Sequence, residues 1–222
     1  MLVSCLMPTR DRRTLIPLAI RSFLNQTHEE RELIILDDGT DETNQVIPND
    51  PRIAYLLLPQ PPLTIGAKRN ALVKLARGPI CVNFDSDDWS TPNRIEHQLA
   101  TLTNTGKALV GFSNLYYWDM TANQAYIWNF TGSYPPATGS SQMYTKAWAL
   151  AHPYRPINIP EDRYFEAEAV NAKQIASEPG LPYLVARFHG GNTWKTTPHK
   201  RGYRTAPASL LPQQFFLDMK EP

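Results

Sequence analysis

Apolar runs that stop abruptly at polar clusters constrain this chain more than any other feature. The clearest is Pro79-Ile80-Cys81-Val82-Asn83-Phe84, which ends at Asp85-Ser86-Asp87-Asp88. If residues 79–84 form a buried strand, Asp85 and Asp87 project the same way, because side chains alternate along a strand. Two convergent carboxylates at the mouth of a sheet suit a hard divalent cation that also holds phosphate oxygens. The same residues also read as an acidic turn capping the helix that starts near Pro92. The cluster alone leaves both readings open.

The first 110 residues repeat this pattern. Residues 2–7, 32–36 and 52–58 are further strand candidates, and helix signals lie between them. Thr14 is placed to cap a helix with Ile16, Ala19, Ile20, Phe23 and Leu24 on its apolar face and Pro17 in its first turn. Residues 65–77 read as a helix with Ala71, Leu72 and Leu75 inward and Gly78 just past its end. Thr91-Pro92 opens a third, with Ile95, Leu99 and Leu102 on one face and Gly106 as terminator. Such alternation predicts an α/β fold around a mostly parallel, doubly wound sheet. Ligands of such sheets bind beyond the carboxyl ends of the strands. Thr9, Arg10 and Asp11, the pair Asp37-Asp38, and the Asp85 cluster all sit at such ends.

The second half reads differently. Residues 109–117 and 126–130 are aromatic-rich strand candidates joined by a turn at Asn123. Pro135-Pro136 and Gly139-Ser140-Ser141 suggest a loop crossing the surface. A short helix over 146–151 follows, then a helix over 162–173 with Phe165, Ala169 and Ala172 inward. Residues 183–188 form a last strand candidate, ending in His189-Gly190-Gly191-Asn192. The tail after Trp194 is basic and Pro-interrupted, with little periodic order.

Charge excludes some functions. A net +1 over 222 residues argues against a dedicated nucleic-acid binder. No apolar stretch approaches the ~20 residues that span a bilayer, and no basic segment precedes the first strand candidate. No transmembrane segment or signal peptide is therefore expected. A cytoplasmic location follows, with peripheral attachment to a membrane surface left open. Cys5 and Cys81 each lie inside an apolar strand candidate and are expected as buried, reduced thiols.

After the first strand candidate stands Pro8-Thr9-Arg10-Asp11-Arg12-Arg13, with neither a Gly-x-Gly-x-x-Gly nor a Walker motif. A nucleotide would need a metal, rather than a glycine-rich loop, to neutralise its phosphates, and Asp85 with Asp87 offers a seat for one. Asp38 is placed to accept hydrogen bonds from a base or ribose, or else simply forms the turn before Gly39.

The order of Val3-Ser4-Cys5-Leu6-Met7-Pro8-Thr9-Arg10-Asp11-Arg12, Leu24-Asn25-Gln26-Thr27 and Glu32-Leu33-Ile34-Ile35-Leu36-Asp37-Asp38-Gly39-Thr40 resembles the opening of family 2 glycosyltransferases with the GT-A fold. Gly66-Ala67-Lys68-Arg69-Asn70-Ala71 is similar to that family's Ala-Arg-Asn segment. Asn83-Phe84-Asp85-Ser86-Asp87-Asp88-Trp89 is similar to its Asp-x-Asp segment, and Pro160-Glu161-Asp162-Arg163-Tyr164-Phe165 to the segment carrying its catalytic base. The likeness is dense over residues 2–100 and sparse over 138–194.

The resemblance implies one GT-A-like domain over 1–222. Its nucleotide-sugar-binding half covers about 1–106, an acceptor and catalytic-base half about 107–194, and a basic tail 195–222. It implies inverting transfer from a nucleoside-diphosphate sugar (UDP-, GDP- or dTDP-linked) to a sugar, lipid-linked or protein acceptor, with Mn2+ or Mg2+ as cofactor. Pro8, Thr9, Arg10, Asp38, Arg69, Asp85 and Ser86 would bind the donor. Arg10-Asp11 stands where the family usually has Tyr-Asn or Phe-Asn. Asp87 would hold the metal, and His189 would serve the metal or the diphosphate. Asp162 would be the general base, and Trp89, Glu161 and Trp194 would line the acceptor side. A sugar-phosphate nucleotidyltransferase is the rival enzyme, although it would want a glycine-rich loop after the first strand. A non-catalytic carbohydrate- or nucleotide-binding module of the same fold is the alternative without chemistry.

Overall fold

The computed structural model describes residues 1–58, 60–134, 136–193 and 202–220. The first half runs β1 (Val3–Thr9), α1 (Ile16–Leu24), β2 (Arg31–Asp37), β3 (Ile53–Leu57), α2 (Ile65–Leu75), β4 (Ile80–Asn83), β5 (Trp89–Ser90) and α3 (Arg94–Thr105). The second half runs β6 (Leu109–Phe112), β7 (Asn114–Asp119), β8 (Gln124–Asn129), β9 (Met143–Thr145), α4 (Lys146–Ala151), α5 (Glu161–Asn171), β10 (Ile175–Glu178), β11 (Leu184–Phe188), β12 (Tyr203–Ala206) and α6 (Gln213–Lys220).

A seven-stranded sheet in the order β10-β6-β9-β4-β1-β2-β3 forms the centre. Its strands β4, β1, β2 and β3 are parallel neighbours. Both faces are covered, which explains why β1 and β2 read as continuous apolar runs. Cys5, Met7, Leu33 and Ile35 pack to one side with Ile16, Ile20 and Phe23 of α1 and Ile95 and Leu102 of α3. Leu6, Ile34 and Leu36 pack to the other with Leu72, Ala149, Phe165 and Ala169. The strand period of two thus divides one run of sequence between two cores.

Helix ends follow local chemistry in part. Thr64 caps α2 by accepting from Ala67 N, and Gly106 ends α3 in the left-handed conformation. Thr14 does not cap α1; Leu15 holds that position and no side chain bonds there. Instead the far end is secured, where Arg31 donates to the carbonyls of Phe23 (3.0 Å) and Leu24 (2.7 Å). A cation there also complements the helix dipole. α3 begins at Arg94, and Gln26 Oε1 accepts from Ile95 N at 3.1 Å.

Four expectations change. Residues 109–117 are not one strand: the chain leaves the large sheet at Ser113, so β6 and β7 belong to different sheets. The segment after Pro136 is not a surface loop, since Ala137, Ser141 and Gln142 are buried and β9 inserts antiparallel between β4 and β6. Leu75 and Ala172 face outward at the ends of their helices. The tail contains order: β12 joins β8, and α6 docks through Phe215, which packs on Trp89 and Trp118.

The second sheet, β12-β8-β7-β11-β5, is mixed. Tyr116, Trp118, Ala125 and Val185 on one of its faces form a core with Phe215. Among the described residues no helix is long and apolar enough to cross a membrane.

Candidate active site

A cavity of about 390 Å3 opens where β1 and β4 end and the second sheet begins. Pro8, Thr9, Arg10, Arg69, Asp85, Ser86, Asp87, Glu161 and Asp162 all line it, so residues from four segments meet there.

The floor is built on α2. Lys68 donates to Thr9 O at 2.9 Å and to Asp38 Oδ1 at 2.7 Å. Asp38 Oδ2 accepts from Leu63 N at 2.8 Å, and the side chain has no exposed surface. Asp38 therefore faces Lys68 rather than the cavity, and Lys68 is the group presented. Burial lowers the Lys68 pKa, and the Asp38 carboxylate works against that shift. The sequence reading missed Lys68; its signal was adjacency to Arg69 in a matched segment.

Arg69, nearly buried, lies 3.2 Å from Asp85 and 3.3 Å from Glu161. Burial opposes its charge, but the two carboxylates outweigh burial and raise its pKa. The remaining guanidinium nitrogen, Nη1, is buried with no hydrogen-bond partner. Thr9 Oγ1 at the end of β1 is likewise buried and unpartnered. Unsatisfied polar atoms lining a cavity are expected where a ligand supplies the partner.

The acidic turn after β4 holds three carboxylates whose surroundings shift them in different directions. Burial raises Asp85 despite Arg69, and burial with the neighbouring charges raises Asp88 strongly. Asp88 accepts from Arg187 N at 3.2 Å and faces the scaffold. Burial pushes Asp87 upward too, but the His189 hydrogen bond and the Arg12 and Arg187 charges win and hold it below its ordinary value. His189 Nε2 stands 2.9 Å from Asp87 Oδ2, while its Nδ1 accepts from Gly191 N at 3.1 Å. The proton consequently sits on Nε2, aimed at Asp87. Arg12 lies 3.8 Å from the same oxygen.

Across the cavity Asp162 occupies the first turn of α5. Its Oδ1 accepts from Arg163 N at 2.9 Å. The segment after Pro136 wraps around it: Gln142 Nε2 donates to Asp162 O at 3.3 Å, and a side chain at Gly139 would collide with the Asp162 carboxylate. Arg94, fully buried, joins this segment to the acidic turn by donating to Asn83 O at 3.0 Å and Ser140 O at 2.7 Å. Asp85, Asp87 and Asp162 are thereby held in one frame.

Trp89 does not line the site. It is 1% exposed, and its indole N–H donates to Asp218 Oδ2 at 2.7 Å, so the ring is buried against α6. Trp194 lies outside the described residues. Among the described residues no three His, Cys, Asp or Glu side chains converge to hold a metal by themselves.

The model of glycosyl transferase family 2 matches residues 4–170. The E. coli (strain K12) glycosyl transferase WcaA, named for colanic acid biosynthesis, is 38% identical over 106 residues, 45% of this chain and 37% of that protein. The E. coli enzyme WfaP, named UDP-Glc:α-D-GlcNAc-diphosphoundecaprenol β-1,3-glucosyltransferase, is 32% identical over 118 residues, 52% of this chain and 46% of that protein. The chain thus spans less than half the length of these two relatives. Among solved structures, S. aureus TarS 1-349 in complex with UDP-GlcNAc aligns with a TM-score of 0.70 at 18% identity, over 89% of this chain and 62% of that one. The mannosyltransferase PcManGT of Pyrobaculum calidifontis, in complex with GDP-Man and Mn2+, aligns at 0.65 and 13% identity, over 86% and 58%. These likenesses show the fold, which is of the GT-A type. Because the family model covers more than half of the sequence and takes in β4 with the acidic turn that follows it, the chain belongs to glycosyl transferase family 2.

Proposed function

We propose that this chain transfers a sugar, with inversion, from a nucleoside-diphosphate sugar to an acceptor hydroxyl. The observation that carries this reading is the placement of Asp87 and Asp162 on the walls of one cavity whose floor presents Lys68 and Arg69. Asp162 takes the proton of the acceptor hydroxyl as that oxygen forms its bond to the anomeric carbon. The bond from that carbon to the diphosphate oxygen breaks, and its electron pair leaves with the nucleoside diphosphate. The N-terminal dipole of α5 favours the ionised carboxylate that this role needs. Lys68, Arg69 and Arg10 favour the leaving diphosphate by charge. Thr9 Oγ1 and Arg69 Nη1 have no hydrogen-bond partner in the protein and can donate to oxygens of the donor.

A divalent metal suits the donor set: Asp87, held below its ordinary value, offers an ionised oxygen, and the mutual repulsion that helps to raise Asp85 and Asp88 is what a cation would relieve. Asp87 would hold Mn2+ or Mg2+ with help from diphosphate oxygens, and the ion would neutralise charge on the leaving group. His189 is proposed as the group that orients Asp87 rather than as a ligand, since both its ring nitrogens are engaged.

The test is calorimetry with UDP, GDP and dTDP, with and without Mn2+, followed by transfer assays. Asp87→Ala should remove the metal-supported part of the affinity; equal binding with and without Mn2+ would end the metal assignment. Asp162→Asn should bind donor normally and lose transfer by about 10²–10⁴-fold. Pyrophosphate release from a nucleoside triphosphate would favour the nucleotidyltransferase instead.

A further inference from the structure

The two walls of the cavity differ in kind. The wall formed by the ends of β1 and β4 and by α2 is polar and charged, as described above. The facing wall carries Tyr117, Trp128, Phe130, Phe188 and Tyr203. Strand register puts four of these on one face of the second sheet. Tyr203 is paired with Trp128 and Trp128 with Leu115, two residues from Tyr117, while Tyr117 is paired with Ala186, two residues from Phe188. The opposite face of that sheet is the one covered by Phe215 of α6. The rings facing the cavity pack against one another: Tyr117 stacks on Phe188 at 4.8 Å, Tyr203 meets Tyr117 edge-on at 5.0 Å, and Trp128 lies 6.2 Å from Phe130. Trp128 and Phe130 are only half-buried.

We propose that this aromatic face is the acceptor subsite and that its occupant is a pyranose ring, stacked by its C–H face on Trp128 and Phe130. The inference rests on the reading of Asp162 as the base, because Asp162 lines the same cavity and marks where the acceptor hydroxyl must arrive. Three features favour a sugar over an acyl chain. Aromatic faces are electron-rich and attract the weakly positive C–H face of a sugar ring. The same cavity is lined by the polar side chains of Asn158, Asp162 and Arg163, which an acyl chain would desolvate and a ring of hydroxyls could hydrogen-bond. The wall also adjoins the charged floor, so a ligand there needs one apolar face and a polar edge. Phe188 and Tyr203 lie beyond the residues that match the family model, so this surface belongs in part to the chain's own C-terminal strands.

The experiment is saturation-transfer NMR and calorimetry on the full chain with maltotriose, cellotriose and chitotriose. Sorbitol serves as an open-chain polyol and dodecylphosphocholine below its micelle concentration as an acyl probe, each with and without UDP and Mn2+. At least one trisaccharide should bind, with saturation strongest at its ring C–H protons. Trp128→Ala should weaken it by about tenfold or more, Trp128→Phe by less, and neither should alter UDP affinity. Unchanged UDP affinity also certifies that the variants fold. Sorbitol binding as tightly as the trisaccharides, Trp128-dependent binding of the acyl probe alone, no trisaccharide binding, or trisaccharide binding indifferent to Trp128 would each overturn the proposal. Failure of UDP to bind while a trisaccharide does would instead refute the donor reading and leave this surface as a carbohydrate site.

Discussion

Arg69 in the middle of α2 and Glu161 at the start of α5 face each other at 3.3 Å, 92 residues apart in sequence. Through Asp85 on its other side, Arg69 ties the acidic turn after β4 to the helix that carries Asp162. Removing it would leave two carboxylates without their cation in a water-poor site. Arg69→Met should therefore cost about 3–5 kcal/mol of stability. Arg69→Lys, which keeps the charge but cannot fork between both partners, should cost less. Urea unfolding of both variants checks this; equal stability of Arg69→Met and wild type would show that the pair is not a strut.

Gly139 leaves room for Asp162. A methyl group at that position would meet the carboxylate of Asp162 before anything else. Gly139→Ala should displace the proposed base while leaving Asp87 and Lys68 in place. Transfer should fall by up to about 100-fold with donor affinity unchanged. A loss of donor binding of the same size would locate the damage elsewhere.

Glu166 provides a pH test away from the acidic turn. It is buried, and its Oε1 accepts from Ala137 N at 2.6 Å. Burial outweighs that bond and raises its pKa above the ordinary 4.5. The unfolded chain therefore releases this proton first, and the contribution of Glu166 to stability falls as pH rises from the unfolded value through the folded one. Glu166→Gln keeps an oxygen for Ala137 N–H and abolishes the dependence. The variant should be at least as stable as wild type near neutral pH, with its advantage shrinking in acid. An advantage that grew on acidification would contradict the sign.

Cys5 and Cys81 are fully enclosed on opposite sides of the central sheet. Burial pushes the Cys81 thiol up to about 12 and Cys5 further in the same direction. Neither should react with a thiol reagent in the folded protein at neutral pH, because the thiolate is the nucleophile. Both should react once urea unfolds it. Rapid labelling under native conditions would mean that the sheet opens locally.

What the sequence determined by itself was local. Apolar runs of the right length, ended by polar clusters, specified β1, β2 and β4, and Gly106 specified the end of α3. Those signals lie within a few residues of the elements they set, so they can be read without knowing what packs against them. The positions of Asp85, Asp87 and Asp162 were legible for the same reason: each ends a strand or opens a helix. Tertiary structure alone decided the rest. β9 is three residues with no period to read, and it exists because β4 and β6 leave a gap for it. Asp38 turned to Lys68, and Trp89 turned to Asp218, because each side chain found a partner far along the chain. Pairings at such separations depend on which surfaces meet, and no local pattern encodes that meeting. The aromatic face of the second sheet is the same case. Its rings come from four strands, and only the register of those strands brings them to the cavity that Asp162 shares.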